Sequence, residues 1–107
     1  MSQVAPLTLL SAIVILDASL DGWSLLDPAP ITPTERVYRH PVLFARPFSS
    51  PPVVHVGIVG LDVNKDHNLR VRVRPVDIGV GGFTLEAETW LNTEIWSIEV
   101  SWLAVGS

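Results

Sequence analysis

The chain has 107 residues and a mass of 11.7 kDa; 48% of the residues, about 51, are hydrophobic and only 17% are charged. This composition excludes intrinsic disorder, because disordered chains are poor in apolar residues. Seven basic residues against eleven acidic ones give a net charge of −4, which argues against a nucleic-acid-binding surface. A single domain of this length buries only about 65% of its unfolded surface. We therefore expect surplus apolar surface that meets a membrane, a ligand or further copies of the chain.

The first apolar run, VAPLTLLSAIVIL, covers residues 4–16. It has the length of the hydrophobic region of a signal peptide, but no Lys or Arg precedes it and no A-x-A cleavage site follows it. A transmembrane helix needs about 20 apolar residues, and Asp17 ends the run too early. We therefore expect a buried strand here, with no membrane insertion and no convincing signal peptide.

Most of the remaining chain alternates apolar and polar residues with a period of two, which is typical of half-buried β-strands. Further strands are predicted over residues 36–44, 53–61, 70–76 and 83–89. Residues 26–34 contain three prolines and are expected to form an extended loop. In the last predicted strand, residues 95–105, the side chains expected on one apolar face are Trp96, Ile98, Val100, Trp102 and Ala104. These patterns predict an all-β fold, a six- to seven-stranded antiparallel β-sandwich.

A glycine-rich segment separates a strand that contains three arginines from one that contains two glutamates. A hairpin symmetric about Gly79 would place Arg72 opposite Glu86, Arg70 opposite Glu88, and Arg74 opposite Thr84. Each pair of opposite charges across the two strands would then contribute about 0.2–1 kcal/mol.

Signals for enzymatic or metal chemistry are weak. The three histidines are not spaced as a metal-binding pair, and the chain has no cysteine to join them. Residues 62–68, DVNKDHN, resemble a calcium loop superficially but lack the glycine and the closing glutamate of the EF-hand. No nucleophile elbow, P-loop or paired-carboxylate motif is present, so we expect no enzymatic activity and no cofactor.

The tryptophans are more informative, because three of the four lie close together in the last part of the chain. Trp96 and Trp102 belong to the predicted apolar face, where packing in the core is the ordinary role. Trp90 precedes a turn-like segment at a strand end, where a flat indole suits the apolar face of a sugar. Arg70 opens its strand beside a polar loop, where a guanidinium can bind vicinal hydroxyls. The alternative role for Arg70 is the ion pair with Glu88.

A series of short motifs resembles the H-type lectin family, which includes the snail agglutinins and the C-terminal domain of the discoidins. The resemblance covers residues 36–105, and GW at residues 22–23 is similar to the Gly-Trp near the end of the family's first strand. The motifs are FARPFSSPPVV (44–54), GLDV (60–63), NLRV (68–71), GF (82–83), TWLNT (89–93) and VSWLA (100–104). Each is short, but their order and family-like spacing make the series specific.

The resemblance implies a six-stranded antiparallel sandwich that assembles as a trimer and binds galactose or N-acetylgalactosamine without enzymatic activity. The sugar would lie in a cleft between neighbouring protomers. By the family's pattern, Arg70 would hydrogen-bond to ring hydroxyls and Trp90 would line the site. Trp96 would take the place of an aromatic residue, commonly tyrosine, that supports the sugar from the adjacent strand.

Two positions depart from the family's pattern. The residue after the Trp of the Thr-Trp motif is a histidine in the snail agglutinins, whereas here it is Leu91, which cannot hydrogen-bond through its side chain. The family also supplies an aspartate from the loop after Gly-Trp; here Asp27 lies a few residues early and Glu35 somewhat late. The predicted carbohydrate-binding residues are Arg70, Trp90, Leu91, Trp96 and Asp27.

Two functions of different classes follow from these observations. The first is a lectin module, a single domain over residues 1–107 with a divergent segment at residues 1–35, that binds glycans as a homotrimer. The second is a structural or adhesion trimer, such as the knob or tip module of a fibre or particle, with a degenerate sugar site. In both, residues 9–16 and part of a central sheet face are expected to bury against their copies around a threefold axis. The expected location is secreted, or on the surface of a cell or of a particle such as a virion.

Overall fold

The computed structural model describes residues 6–27 and 35–107, whose strands form two antiparallel sheets. The first sheet has the strand order β1-β6-β3 and the second has the order β2-β5-β4. The strands are β1 (Thr8–Asp17), β2 (Arg36–Leu43), β3 (Val53–Val63), β4 (Arg72–Val76), β5 (Gly82–Thr89) and β6 (Ile95–Gly106). The predicted antiparallel β-sandwich is thus confirmed, with six strands among the described residues. Most of the predicted proline-rich loop, residues 28–34, lies outside them.

The hydrophobic core lies between the two sheets and is closed at one end by a group of aromatic rings. Phe44 meets Phe48 edge to face with ring centroids 5.1 Å apart, and its centroid lies 5.8 Å from that of Trp102. The buried apolar side chains of the strands are Leu16, Val42, Val54, Phe83, Leu85, Ala87, Ile95, Ile98, Val100, Trp102 and Ala104. Side chains of both sheets contribute, because the inward positions of each strand alternate with outward ones.

β1 forms within the first apolar run, although residues 4 and 5 of that run lie outside the described part of the chain. Its inward side chains reach the core, and Leu16 is fully buried. Its outward side chains do not: Leu9, Ile13 and Ile15 are 63%, 64% and 58% exposed. The expectation of a buried strand is therefore wrong for the outward face, because none of residues 6–27 and 35–107 forms a layer over the first sheet on that side.

β6 keeps its predicted apolar face over most of its length but changes phase near its start. Asp62 pairs with Ser97 and Val63 pairs with Ile95, so Trp96 is an extra residue without an opposite partner. At such a bulge the alternation of side chains shifts by one residue. Ile95 takes the buried position, and Trp96 is 51% exposed. The prediction that Trp96 shares the apolar face of Trp102 is therefore wrong.

The hairpin between β4 and β5 has a register that differs from the predicted one by two residues. The Gly79 N–H donates to the Gly82 carbonyl at 2.9 Å, and the hairpin is centred on position 80 rather than on Gly79. The pairs observed across the strands are Arg72 with Glu88 and Arg74 with Glu86. The charge ladder exists, but the pairs predicted for it are wrong. Arg70 precedes β4 and takes no part in the ladder.

Candidate functional site

The connections at one end of the sandwich are joined by main-chain hydrogen bonds around residues 90–94, which we call the site loop. The site loop links β5 to β6, and the Glu94 carbonyl accepts a hydrogen bond from the N–H of Asn64, which follows β3, at 3.0 Å. The N–H of Ile95 donates to the carbonyl of Leu25, in the segment after β1, at 2.9 Å. The segments that follow β1, β3 and β5 therefore meet on one surface.

Arg36, at the start of β2, anchors this surface from the interior. Its side chain is 7% exposed, and Nη2 donates to the carbonyls of Leu91 and Thr93, both at 2.7 Å. Nη1 donates to the carbonyls of Leu25, at 3.3 Å, and Asp27. Burial lowers the pKa of the Arg36 guanidinium, while nearby carboxylates act in the opposite direction. One buried cation thus ties the site loop to the segment after β1.

Arg70 lies beside the site loop, just before β4. Its carbonyl accepts a hydrogen bond from the Thr89 hydroxyl, which fixes its main chain against the end of β5. Its Nη1 donates to Asn92 Oδ1 at 3.0 Å and to Thr93 Oγ1 at 3.2 Å. Among the described residues, both hydrogen bonds of this guanidinium therefore use Nη1. The alternative role, an ion pair with Glu88, is wrong, because Glu88 pairs with Arg72 at 3.0 Å.

Trp90 begins the site loop and is partly exposed. The guanidinium carbon of Arg72 lies over its ring at 5.2 Å from the centroid, in the geometry of a cation–π contact. Because Arg72 is itself held by Glu88, one face of the indole is covered by a fixed guanidinium. A ligand that leaves this contact intact would meet Trp90 at its other face or its edge.

The remaining predicted site residues surround the same end of the sandwich. Leu91 is 46% exposed and has a left-handed backbone with φ of 57°. Asp27 is exposed and meets Arg36 through its carbonyl, and the described residues contain no ion pair between Asp27 and Arg70. Trp96 lies on the outward face of the first sheet, where its carbonyl accepts from the N–H of Ala18 at 3.0 Å. The structure thus groups Arg70, Trp90 and Leu91, with Asp27 and Trp96 at the margins.

A line of polar side chains, which we call the polar relay, continues from Arg70 into the turn after β3. Asn92 Nδ2 lies 3.2 Å from His67 Nδ1, and His67 Nε2 lies 3.1 Å from Glu94 Oε1. Glu94 Oε1 also accepts a hydrogen bond from Asn64 Nδ2 at 3.0 Å. Each member of the polar relay therefore contacts the next.

Reasoning from the sequence did not assign a role to Arg36, Asn92, Thr93 or His67. Asn92 and Thr93 belong to the motif TWLNT, which contributes to the family resemblance. Their position beside Trp90 could therefore have indicated that they belong to the site. His67 was considered only as a metal ligand. Arg36 gave no signal, because a charged residue at the start of a strand is ordinarily solvated.

Residues 6–27 and 35–107 contain no group of three or more His, Asp or Glu side chains arranged to hold a metal ion. Within the same ranges, no helix is long and apolar enough to span a membrane. The chemistry that the site offers is hydrogen bonding from a guanidinium and side-chain amides beside an indole.

The chain belongs to the H-type lectin domain family, because residues 39–105, more than half of its length, match the model of that domain. This finding confirms the resemblance predicted from the motifs. A curated relative from Fuscovulum blasticum, "ATP synthase subunits region ORF 7", is 36% identical over 72 residues. The match covers 67% of this chain and 63% of that protein, whose name states no activity.

The fold is similar to two solved structures of discoidin II from Dictyostelium discoideum. The native recombinant protein has a TM-score of 0.80 at 20% identity, with 99% of this chain and 39% of that chain covered. The wild-type protein has a TM-score of 0.78 at 21% identity, with 98% of this chain and 38% of that chain covered. The chain therefore spans less than half of either discoidin chain, and the likeness concerns the fold.

Proposed function

We propose that the chain is a non-enzymatic carbohydrate-binding module that takes galactose-type glycans, galactose or N-acetylgalactosamine, at the surface around Arg70. Membership in the H-type lectin domain family supports carbohydrate binding. The choice of site depends on one observation: among the described residues, the Arg70 guanidinium makes its hydrogen bonds through Nη1 alone. Nε and Nη2 are then available for vicinal hydroxyls, while Trp90 offers an apolar surface for the sugar ring.

The proposed module is a homotrimer with the sugar in clefts between protomers. The outward face of the first sheet supports this assembly, because Leu9, Ile13 and Ile15 of β1 are mostly exposed and Leu103 of the neighbouring β6 is 39% exposed. We call these four residues the β1 face. Contiguous exposed apolar side chains of this kind mark interaction surfaces. Trp96 lies on the same side of the sheet, so burial of the β1 face would bring Trp96 to the border between protomers.

Galactose and N-acetylgalactosamine are titrated into the full chain by isothermal calorimetry, with Arg70→Ala as the test variant. Loss of a charge-assisted hydrogen bond is expected to weaken binding by about tenfold or more. Arg46→Ala is the matched control, because Arg46 is exposed in the connection between β2 and β3. The affinity of this variant for the sugar is expected to equal that of the wild type. Absence of binding at millimolar sugar, or equal affinities of the two variants, would overturn the proposal.

A second candidate function is a structural or adhesion trimer with a degenerate sugar site, as in the knob or tip module of a fibre or particle. Leu91 favours it, because an exposed aliphatic side chain stands in the site loop where a snail agglutinin has histidine. In that case Arg70→Ala leaves attachment to cells or particles unchanged. Both candidates place the protein in a secreted location or on the surface of a cell or particle such as a virion.

A further inference from the structure

The donors and acceptors of the polar relay fit together in one protonation state of His67. Asn92 Oδ1 accepts from Arg70 Nη1, so the amide NH2 of Asn92 is turned toward His67 Nδ1. That NH2 needs a lone pair on Nδ1, which leaves the proton of the neutral imidazole on Nε2. Nε2 then donates to Glu94 Oε1, which is the partner that the geometry supplies. The neutral Nε2–H tautomer therefore satisfies every contact between Arg70 and Glu94.

We infer that Asn92 and His67 are positioning residues for Arg70, and that a proton on Nδ1 of His67 breaks the Asn92 hydrogen bond, one of the two that fix the orientation of Arg70. The consequence for ligand affinity rests on the proposed glycan-binding function. A proton on Nδ1 makes this nitrogen a donor that faces another donor, the NH2 of Asn92. The contact becomes a hydrogen bond only if the Asn92 amide rotates so that its oxygen faces Nδ1. The turned amide presents its NH2 to Arg70 Nη1, which is also a donor. A doubly protonated His67 and the hydrogen bond between Arg70 and Asn92 thus exclude each other.

Several charged groups lie around His67. Glu94 contacts the ring at 3.1 Å, and Arg70 lies beyond Asn92. Arg36 interacts electrostatically with Glu94 from the interior. Lys65 and Asp66 are exposed in the same turn and are screened by solvent. The test therefore covers the range in which histidines ordinarily change charge, between about pH 8 and pH 5.

The first arm of the test needs no sugar. Proton–nitrogen correlation spectra of the free full chain are recorded from about pH 8 to pH 5, with the arginine Nε–H and asparagine amide signals assigned. The signals of Arg70 and Asn92 are expected to shift with the same midpoint as the ring signals of His67. In His67→Gln, which keeps one acceptor and one donor but cannot be protonated, the Arg70 signal is expected to stay constant.

The control variant is His40→Gln, which removes a histidine that lies opposite Leu85 on β2, outside the polar relay. This variant is expected to keep the pH-dependent shift of the Arg70 signal. The inference is overturned if the Arg70 signal does not respond while His67 titrates. It is also overturned if the response persists in His67→Gln.

The second arm measures the affinity for galactose at about pH 7.5 and pH 5.5. Wild-type affinity is expected to fall by about tenfold on acidification, because one of the two hydrogen bonds that hold Arg70 is lost. The affinity of His67→Gln is expected to remain within about twofold across the same range. Equal pH dependence of the two proteins would contradict the effect on binding. If no sugar binds at either pH, the proposed function fails while the first arm still decides whether His67 controls Arg70.

Discussion

At the scale of single residues, Arg36 decides how the candidate site is assembled. A buried guanidinium is costly unless its N–H groups find acceptors, and here four main-chain carbonyls from two different segments accept from Nη1 and Nη2. Nε is buried without a partner among the described residues. The planar fork reaches both segments at once because its two terminal nitrogens point in different directions. The orientation of the site loop therefore depends on a residue whose side chain is buried beneath it.

Replacement of Arg36 by lysine tests this dependence. Lysine keeps the positive charge but cannot span the two segments, so we expect Arg36→Lys to lower the free energy of unfolding by about 2 kcal/mol. Urea denaturation followed by tryptophan fluorescence measures the change. Arg46→Lys, at an exposed arginine, is expected to leave the midpoint unaltered. A wild-type midpoint for Arg36→Lys would show that the four hydrogen bonds contribute little.

At the scale of strands, the sequence predicted where each element lies better than it predicted how the elements pair. The alternation of apolar residues located β6, because inward and outward positions differ in burial over most of its length. The same alternation predicted the wrong face for Trp96. A bulge depends on how the strand pairs with its neighbour, and the sequence of one strand alone does not show that pairing. The register of the β4–β5 hairpin was missed for a related reason: several glycines permit more than one turn, and the turn fixes the pairing.

The charge ladder of the second sheet makes stability depend on pH through Glu86. Hydrogen bonds from Arg74 and then Arg39 hold the pKa of the Glu86 carboxyl below its ordinary value. A lowered pKa stabilises the fold fully above the unfolded pKa, about 4.3 for glutamate, and this contribution is lost as the pH falls through the folded value. Denaturation at about pH 7 and pH 3 is expected to show a smaller acid-induced loss of stability for Glu86→Gln than for the wild type. Glu35→Gln, at an exposed residue, should retain the wild-type loss.

The contact between β2 and β5 is close enough to exclude a side chain at Gly82. An added Cβ would overlap the carbonyl oxygen of Val42, which is main chain and cannot move aside. We expect Gly82→Ala to lower the free energy of unfolding by about 1–3 kcal/mol. Gly57→Ala is the matched control, because a Cβ there meets no atom within 4 Å. Its stability should stay within about 0.5 kcal/mol of the wild type, and equal effects at both glycines would contradict this explanation.

At the scale of the whole molecule, the two outward faces of the sandwich have opposite character. The second sheet presents arginines whose charges are largely balanced by Glu86 and Glu88, whereas the first sheet presents the aliphatic β1 face. Part of the surplus apolar surface expected from the composition thus lies on the β1 face. Burial of the β1 face against copies of the chain would remove apolar area from water. Each square ångström buried stabilises the assembly by about 25 cal/mol.

The proposed trimer is tested by placing a charge in the centre of the β1 face. Light scattering of the wild type at micromolar concentration is expected to give three times the chain mass of 11.7 kDa. Ile13→Glu is expected to give the mass of a single chain, because three carboxylates buried near one threefold axis would repel and lose their hydration. Leu43→Glu introduces the same charge at a residue that is 83% exposed on the other sheet, and it should leave the trimer intact. A single-chain mass for the wild type would contradict the trimer, and with it the sharing of a sugar cleft between protomers. A trimeric mass for Ile13→Glu would show that the interface lies on another face.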